Sequence, residues 1–341
     1  MKKAISVLLI FATLFTFTSC SGSKKHTSTL SGTFDTVTTF TAITDDKATF
    51  ERASDLVKSK LESFNKLFDI YNSYDGIVNL KSVNDAKGEV VKVDEKLASL
   101  IDYGVWASSA TNGSVNIALG SVLKIWKEYH DNAIKDQTLA AVPTKEELEK
   151  AAVHTDISKV IVDLDNNTVQ LQDSEMSLDV GAIAKGYVAD QIAAAVSATG
   201  VENFVINLGG NVVARGVDEN GSPFKVGIQN PDTKAKETSI YNVELSSESL
   251  VTSGSYQRFY TVGDKTYHHI INPKTLFPEN YYKSISVLSP SSVLSDNFST
   301  ALFNLSIEEG KELLKHFTTV KVLWVKEDGT IEKTDNFPQK K

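Results

Sequence analysis

Asp179-Val180-Gly181-Ala182-Ile183-Ala184-Lys185-Gly186-Tyr187-Val188-Ala189-Asp190 is the stretch on which the reading of the fold turns. It follows a hydrophobic alternation and opens an alanine-rich run over 184–198 with the composition of a helix. An acid before a turn of small residues, then a lysine in a first helical turn, suits a site for a phosphorylated ligand. Small residues let the backbone approach a ligand closely, and a helix N-terminus presents unpaired N–H groups to anions. The lysine adds a full positive charge. On this reading Asp179 serves a hydroxyl or ring nitrogen and Lys185 a phosphate. The same residues also spell a tight strand-to-helix turn with a solvated lysine, and the stretch alone does not choose.

Downstream, short β-rich runs are expected at 204–207, 211–215, 224–229, 240–245, 257–262, 267–271 and 285–288, helices over 293–303 and 307–317, and a last strand over 320–325. Upstream, 36–43 is β-rich, and 46–67 carries Phe50, Leu56, Val57, Leu61, Phe64 and Leu67 at helical spacing. Asp94 is placed to cap a helix through Ala110, which Thr111-Asn112-Gly113 stops. Thr144-Lys145-Glu146-Glu147 has capping-box spacing and opens a third helix, and 160–164 and 168–172 flank Asp165-Asn166-Asn167 as a hairpin. No strict βαβ rhythm emerges, so the fold class is α+β, with antiparallel sheets and flanking helices.

Residues 1–19 read as a signal peptide: Lys2 and Lys3 precede an apolar run from Ala4 to Phe17 that is too short for an ordinary membrane span. Phe17-Thr18-Ser19-Cys20 resembles the lipobox of bacterial lipoproteins, which implies that Cys20 is lipidated and holds the protein on the extracytoplasmic face of the cell membrane. The plainer alternative is a secretory signal with an incidental cysteine. Cys20 is the only cysteine, so no internal disulfide forms and stability must come from a core. Residues 20–30 then form the lipidated cysteine and a flexible Ser/Thr/Lys tether, 31–335 the functional domain and 336–341 a C-terminal tail. The formal net charge of −8 argues against nucleic acid as a partner.

Four further segments carry chemistry. Asn207-Leu208-Gly209-Gly210-Asn211 is a strand ending in a double glycine. Thr252-Ser253-Gly254-Ser255-Tyr256-Gln257-Arg258 offers hydroxyls and a guanidinium to a phosphate, or simply begins a hairpin. His268-His269-Ile270-Ile271-Asn272-Pro273-Lys274-Thr275 sets two histidines on a strand, pointing to opposite faces, so that one can act as a general base. Asp296 and Thr300 share one helix face and offer only oxygen donors, which suits Mg²⁺ rather than zinc; they also fit a capping aspartate and a surface threonine.

Taken in order, the five segments are similar to the ApbE family, flavin transferases that move FMN from FAD onto a protein threonine. The resemblance runs from about Gly32 to about Lys333. It implies FAD as the donor substrate, bound in a cleft between two subregions, and a requirement for Mg²⁺. Asp179 and Lys185 would contact FAD, and the Ala182 carbonyl with the side chains of Asp296 and Thr300 would hold the metal. Tyr71, in Phe68-Asp69-Ile70-Tyr71, resembles a flavin-contacting tyrosine; Ser114-Val115-Asn116 and Ile270 would also touch the nucleotide. His269 is placed as the base that deprotonates the acceptor threonine. Acceptors would be extracytoplasmic parts of membrane redox proteins. Three positions depart from the family pattern: Asn116 for aspartate, Leu276 for glycine, and Ser299 where some members carry a second acidic ligand. The rival readings are an FAD pyrophosphatase releasing FMN and AMP, and a flavin-binding lipoprotein without turnover.

Overall fold

In the computed structural model, which describes residues 23–339, the first elements are a hairpin of β1 (Lys24–Thr33) and β2 (Thr36–Thr44). This corrects the expected tether over 20–30. β1 pairs with β2 from Lys24↔Thr44 to Thr33↔Thr36, and its residues alternate between exposed and half-buried. Because both faces are polar, no hydrophobic period marks the strand in the sequence; its backbone ladder orders it. The signal peptide and Cys20 lie outside the described residues.

The helix α1 (Lys47–Leu67) is capped by Asp46, which accepts from Thr49 N at 2.8 Å, and buries Phe50, Val57, Leu61, Phe64 and Leu67 as their spacing predicts. After α2 (Leu80–Asn84) and β3 (Val91–Lys92) come α3 (Glu95–Ala110), α4 (Gly120–Lys135) and α5 (Lys145–Ala152). The hairpin β4 (Val160–Asp163) and β5 (Thr168–Leu171) joins β3 in a small sheet, and α6 (Ala184–Ala198) covers the run expected of it. Then follow β6 (Phe204–Leu208), β7 (Asn211–Arg215), β8 (Phe224–Gln229), β9 (Ser239–Leu245), β10 (Ser249–Gly254), β11 (Phe259–Val262), β12 (Lys265–His268), β13 (Tyr282–Ser289), α7 (Ser292–Phe303), α8 (Ile307–Leu314), β14 (Lys321–Lys326) and β15 (Ile331–Lys333).

Eight strands form one antiparallel sheet in the order β1-β2-β6-β7-β10-β13-β14-β15. Strand alternation gives it two apolar faces. Phe40, Phe204, Ile206 and Val213 pack under α1 and α6, and Val322 and Trp324 under α7 and α8. Val212, Ala214, Leu323 and Val325 face the other way, against the β8–β9 hairpin. Phe337 is buried in that second cluster, and the Tyr241 hydroxyl donates to Pro338 O at 2.7 Å. The expected tail from 336 therefore belongs to the domain through Pro338; one aromatic in a short polar segment leaves no periodic trace.

The register defines two ends of the sheet. Lys24, Thr44, Phe204 and Arg215 lie at one end, and Thr33, Thr36, Leu208 and Asn211 at the other. The helices α1 and α6 run antiparallel between these ends, because α1 leaves β2 after Thr44 and α6 leads into β6 at Phe204.

The helix α4 has no counterpart among the expected elements. Its N-cap, Leu119, makes no side-chain cap, so the sequence carries no start signal. Trp126 of α4 meets Tyr260, Tyr267 and Phe277 in an aromatic nest against the β11–β12 hairpin, and its Nε1 donates to Leu276 O at 2.9 Å. Leu276 holds φ 64°, left-handed backbone that costs a leucine about 1 kcal/mol. Burying its side chain in the nest is worth about 2 kcal/mol, which outweighs that strain and explains how leucine occupies this turn.

Candidate active site

The turn before α6, α7, the β12–β13 connection and the loop after α1 meet at the Leu208 end of the sheet. Gly186, in the first turn of α6, is the contact point with α7: a Cβ there would lie 2.4 Å from Ser292 O and 2.7 Å from Asp296 Cβ. Only glycine allows this approach, and it delivers the Gly186 N–H to Asp296 Oδ2 at 2.8 Å. Lys185 Nζ stands 3.7 Å from Asp296 Oδ1. Two segments 110 residues apart are thus joined through one carboxylate. Burial raises the Asp296 carboxyl, and the Lys185 charge, with smaller help from the Gly186 N–H, opposes it. Thr300 follows one turn later on the same helix, half-buried.

Asp179 leads into this turn. Its N–H donates to Ile117 O at 2.8 Å and its Oδ1 accepts from Gly181 N at 2.8 Å. Desolvation raises its carboxyl, partly offset by the Gly181 N–H and the Arg258 charge. Tyr71 lies close enough to feel Asp179: crowding of its hydroxyl, then the Asp179 and Asp131 charges, push its phenol up to about 12. Its ring is largely exposed, with the Lys127 ammonium 5.4 Å from the centroid.

The strand β12 ends at His268, so the two histidines do not share it as expected. Their roles differ all the same. His268 is buried; its Nε2 donates to Glu279 O at 2.7 Å and its Nδ1 accepts from Ile270 N at 3.2 Å, which fixes one tautomer and makes it structural. His269 is open to solvent, its Nδ1 3.3 Å from Arg258 O. Desolvation, then chiefly the Arg258 charge, pushes its imidazole well below the ordinary histidine range. Ile270 is buried against the α7 core.

Ser114, Val115 and Asn116 are built into the scaffold. Ser114 O accepts from Asn304 Nδ2 at 3.1 Å, Val115 N donates to Thr111 Oγ1 at 3.2 Å, and Asn116 binds Ala118 N and Thr155 O through its amide. Ser299 is fully buried, bonded to Ser253 Oγ at 2.7 Å and to Asp296 O at 2.9 Å. Its hydroxyl is therefore committed.

Two residues that sequence reasoning left without a role hold these pieces together. Asp190, the last residue of the opening stretch, accepts from Ser291 Oγ, Ser292 N and Val293 N at 2.8, 2.9 and 3.0 Å, capping α7 from α6. Asn304, just past α7, donates to Ser114 O and accepts from Asn272 Nδ2 at 3.2 Å. Asp190 was visible as an acid one turn beyond Gly186; Asn304 had no signal.

Among the described residues no three His, Cys, Asp or Glu side chains gather to hold a metal. The site offers one buried carboxylate whose charge is only partly compensated by Lys185 at 3.7 Å, with neutral oxygens nearby in the sequence. That donor chemistry fits a hard cation that draws most ligands from carbonyls, hydroxyls, water and phosphate, and does not fit zinc.

A helix start bearing a lysine, a carboxylate partly neutralised by it and an imidazole beside an arginine suit the chemistry of a phosphorylated group, and with this α+β scaffold they are the features of a flavin transferase. The chain belongs to the ApbE family, whose profile matches residues 32–324. The FAD:protein FMN transferase of Treponema pallidum is 33% identical over 261 residues, 72% of this chain and 70% of that protein. The crystal structure of the ApbE protein of Thermotoga maritima superposes with a TM-score of 0.79 at 25% identity, covering 92% of this chain and 98% of that one. The flavin transferase ApbE of Vibrio cholerae shares the fold at a TM-score of 0.75 and 22% identity, over 91% and 97% of the two chains.

Proposed function

We propose that the protein is an Mg²⁺-dependent FAD:protein FMN transferase that attaches FMN through a phosphoester to a threonine of extracytoplasmic redox proteins and releases AMP, working from a lipid anchor at Cys20. The observation that carries this reading is the meeting of Lys185, Gly186 and Asp296 in one buried contact. Tyr71 and Asp179 would present side chains to the nucleotide, and Ile270 and the Ser114–Asn116 segment, whose side chains are packed or bonded into the scaffold, would offer it backbone only.

When bound, Mg²⁺ would neutralise charge on the diphosphate; Ala182, Asp296 and Thr300 would hold it. Lys185 and the start of α6 draw the same phosphate oxygens toward the site. His269 donates Nδ1–H toward Arg258 O and keeps Nε2 free to accept the threonine proton. The threonine oxygen then bonds to the FMN-side phosphorus as the P–O bond to AMP breaks, and AMP leaves with the bonding pair. Arg258, beside both Asp179 and His269, screens the charge that gathers there.

Incubation with FAD, Mg²⁺ and a candidate acceptor domain, followed by intact mass and nucleotide analysis, tests the reading. One FMN added per acceptor with one AMP released supports it. FMN and AMP without an adduct, with acceptors of several kinds, would instead define a pyrophosphatase; bound FAD without AMP would define a carrier.

A further inference from the structure

We infer that the bilayer is met by the pole of the domain carrying Lys24, Asp45 and Lys47, and that the catalytic cleft opens at the opposite pole, so that the acceptor threonine stands clear of the membrane. This rests on the proposed anchor at Cys20. The ladder of β1 begins at Lys24 and already at Ser23 the chain is tied down, Ser23 Oγ donating to Asp45 Oδ1 at 2.7 Å. Ser23 follows Cys20 by three positions, so the leash spans at most about 11 Å.

Where that leash enters is fixed by register. Lys24 pairs with Thr44 at the end of the sheet where Phe204 and Arg215 lie. Leu208 and Asn211 pair at the other end, and α6 starts there because it runs back to Phe204; Lys185 in its first turn is within electrostatic reach of His269, and Asp179 just before it within reach of Tyr71. The helix α1 connects the two poles: Lys47 opens it beside Thr44, and Leu67 closes it four residues before Tyr71. Its 21 residues measure about 30 Å. A leash of about 11 Å cannot turn a mouth about 30 Å distant onto the bilayer. Among the described residues no helix is long and apolar enough to cross a membrane.

Charge does not create this orientation. The anchored pole mixes Lys24, Lys25 and Lys47 with Asp45, Asp46 and Glu219, and Lys25 and Lys47 are paired with Glu219 and Glu51 at 3.8 and 2.9 Å. Leash length and entry point decide it. The acceptor that fits is therefore a soluble domain, or a segment of a membrane protein that projects beyond the lipid headgroups.

The chain has no cysteine besides Cys20, so an introduced one takes a single label. Lys47→Cys and Asp75→Cys place an environment-sensitive fluorophore on exposed residues at the start of α1 and in the loop after it. The lipidated full-length chain is reconstituted in phosphatidylcholine vesicles carrying headgroup spin labels. Quenching at least threefold stronger at position 47 than at 75 supports the proposal, and a 20-residue Gly/Ser insertion after Gly22 should erase the difference. Equal quenching, or stronger quenching at 75, overturns it. Intact mass separates the underlying reading: a mature chain without a diacylglyceryl increment on Cys20 removes the anchor itself.

Discussion

Burial raises the carboxyl of Asp296 while Lys185 stands 3.7 Å away, so an ionised Asp296 burdens the fold when no cation is present. The sign follows from linkage: a carboxyl raised in the folded state weakens the fold as pH climbs above its unfolded value, and the cost grows until pH passes its folded one. Asp296→Asn keeps the acceptor for Gly186 N–H and removes the charge. Its melting temperature without added cation should equal or exceed wild type, while transfer falls about a hundredfold, the loss typical of one electrostatic partner; a lower melting temperature with normal transfer would reject the metal role. At His269 the imidazole is held low by desolvation and by Arg258, so it stays neutral through pH 6 and kcat/KM should show no acid limb near pH 6.5. NMR titration of the ring should give a value well below 6.5 that rises when anionic FAD binds, and His269→Ala should lose transfer while keeping FAD affinity. These residues were legible because each sits in a compact motif. Asn304 was not, since its role is a set of hydrogen bonds to segments 190 residues upstream and 32 residues upstream.

The contact between α6 and α7 depends on Asp190, whose carboxylate caps the start of α7 through three hydrogen bonds. Asp190→Ala leaves two backbone N–H groups at that start unpaired and should cost about 3 kcal/mol in denaturant unfolding, with Asp190→Asn recovering about half. Loss of α7 position should also raise the Mg²⁺ concentration needed for half-maximal transfer; an unchanged unfolding midpoint in the alanine variant would show that the cap is idle. The helices α1, α3 and α5 could be read because caps and apolar spacing agree in them, and α6, which has no side-chain cap, from its alanine-rich run alone. The helix α4 could not, having no cap, and β10 was hidden because Ser249, Thr252 and Ser253 spell a turn in sequence yet pack in a buried serine-rich seam against β13 and α7.

On the scale of the whole molecule, β1 distinguishes a strand from a tether. Removing residues 21–30 should lower the melting temperature by about 5 °C, since it strips a ladder and the Ser54–Ser28 hydrogen bond from the sheet edge; deletion of a tether would leave the melting curve where it was. The class α+β was legible from mixed periods, but the order of the eight strands was not, because neighbours such as β2 and β6 are separated by most of the helical half of the chain. That same arrangement has a temporal consequence. Lys185 and Gly186 leave the ribosome 110 residues before the carboxylate they meet, and half of the central sheet must be threaded between them. A growing polypeptide consequently holds no partial centre able to spend FAD: competence waits until α7 has been made and β14, later still in the chain, has completed the core beneath it.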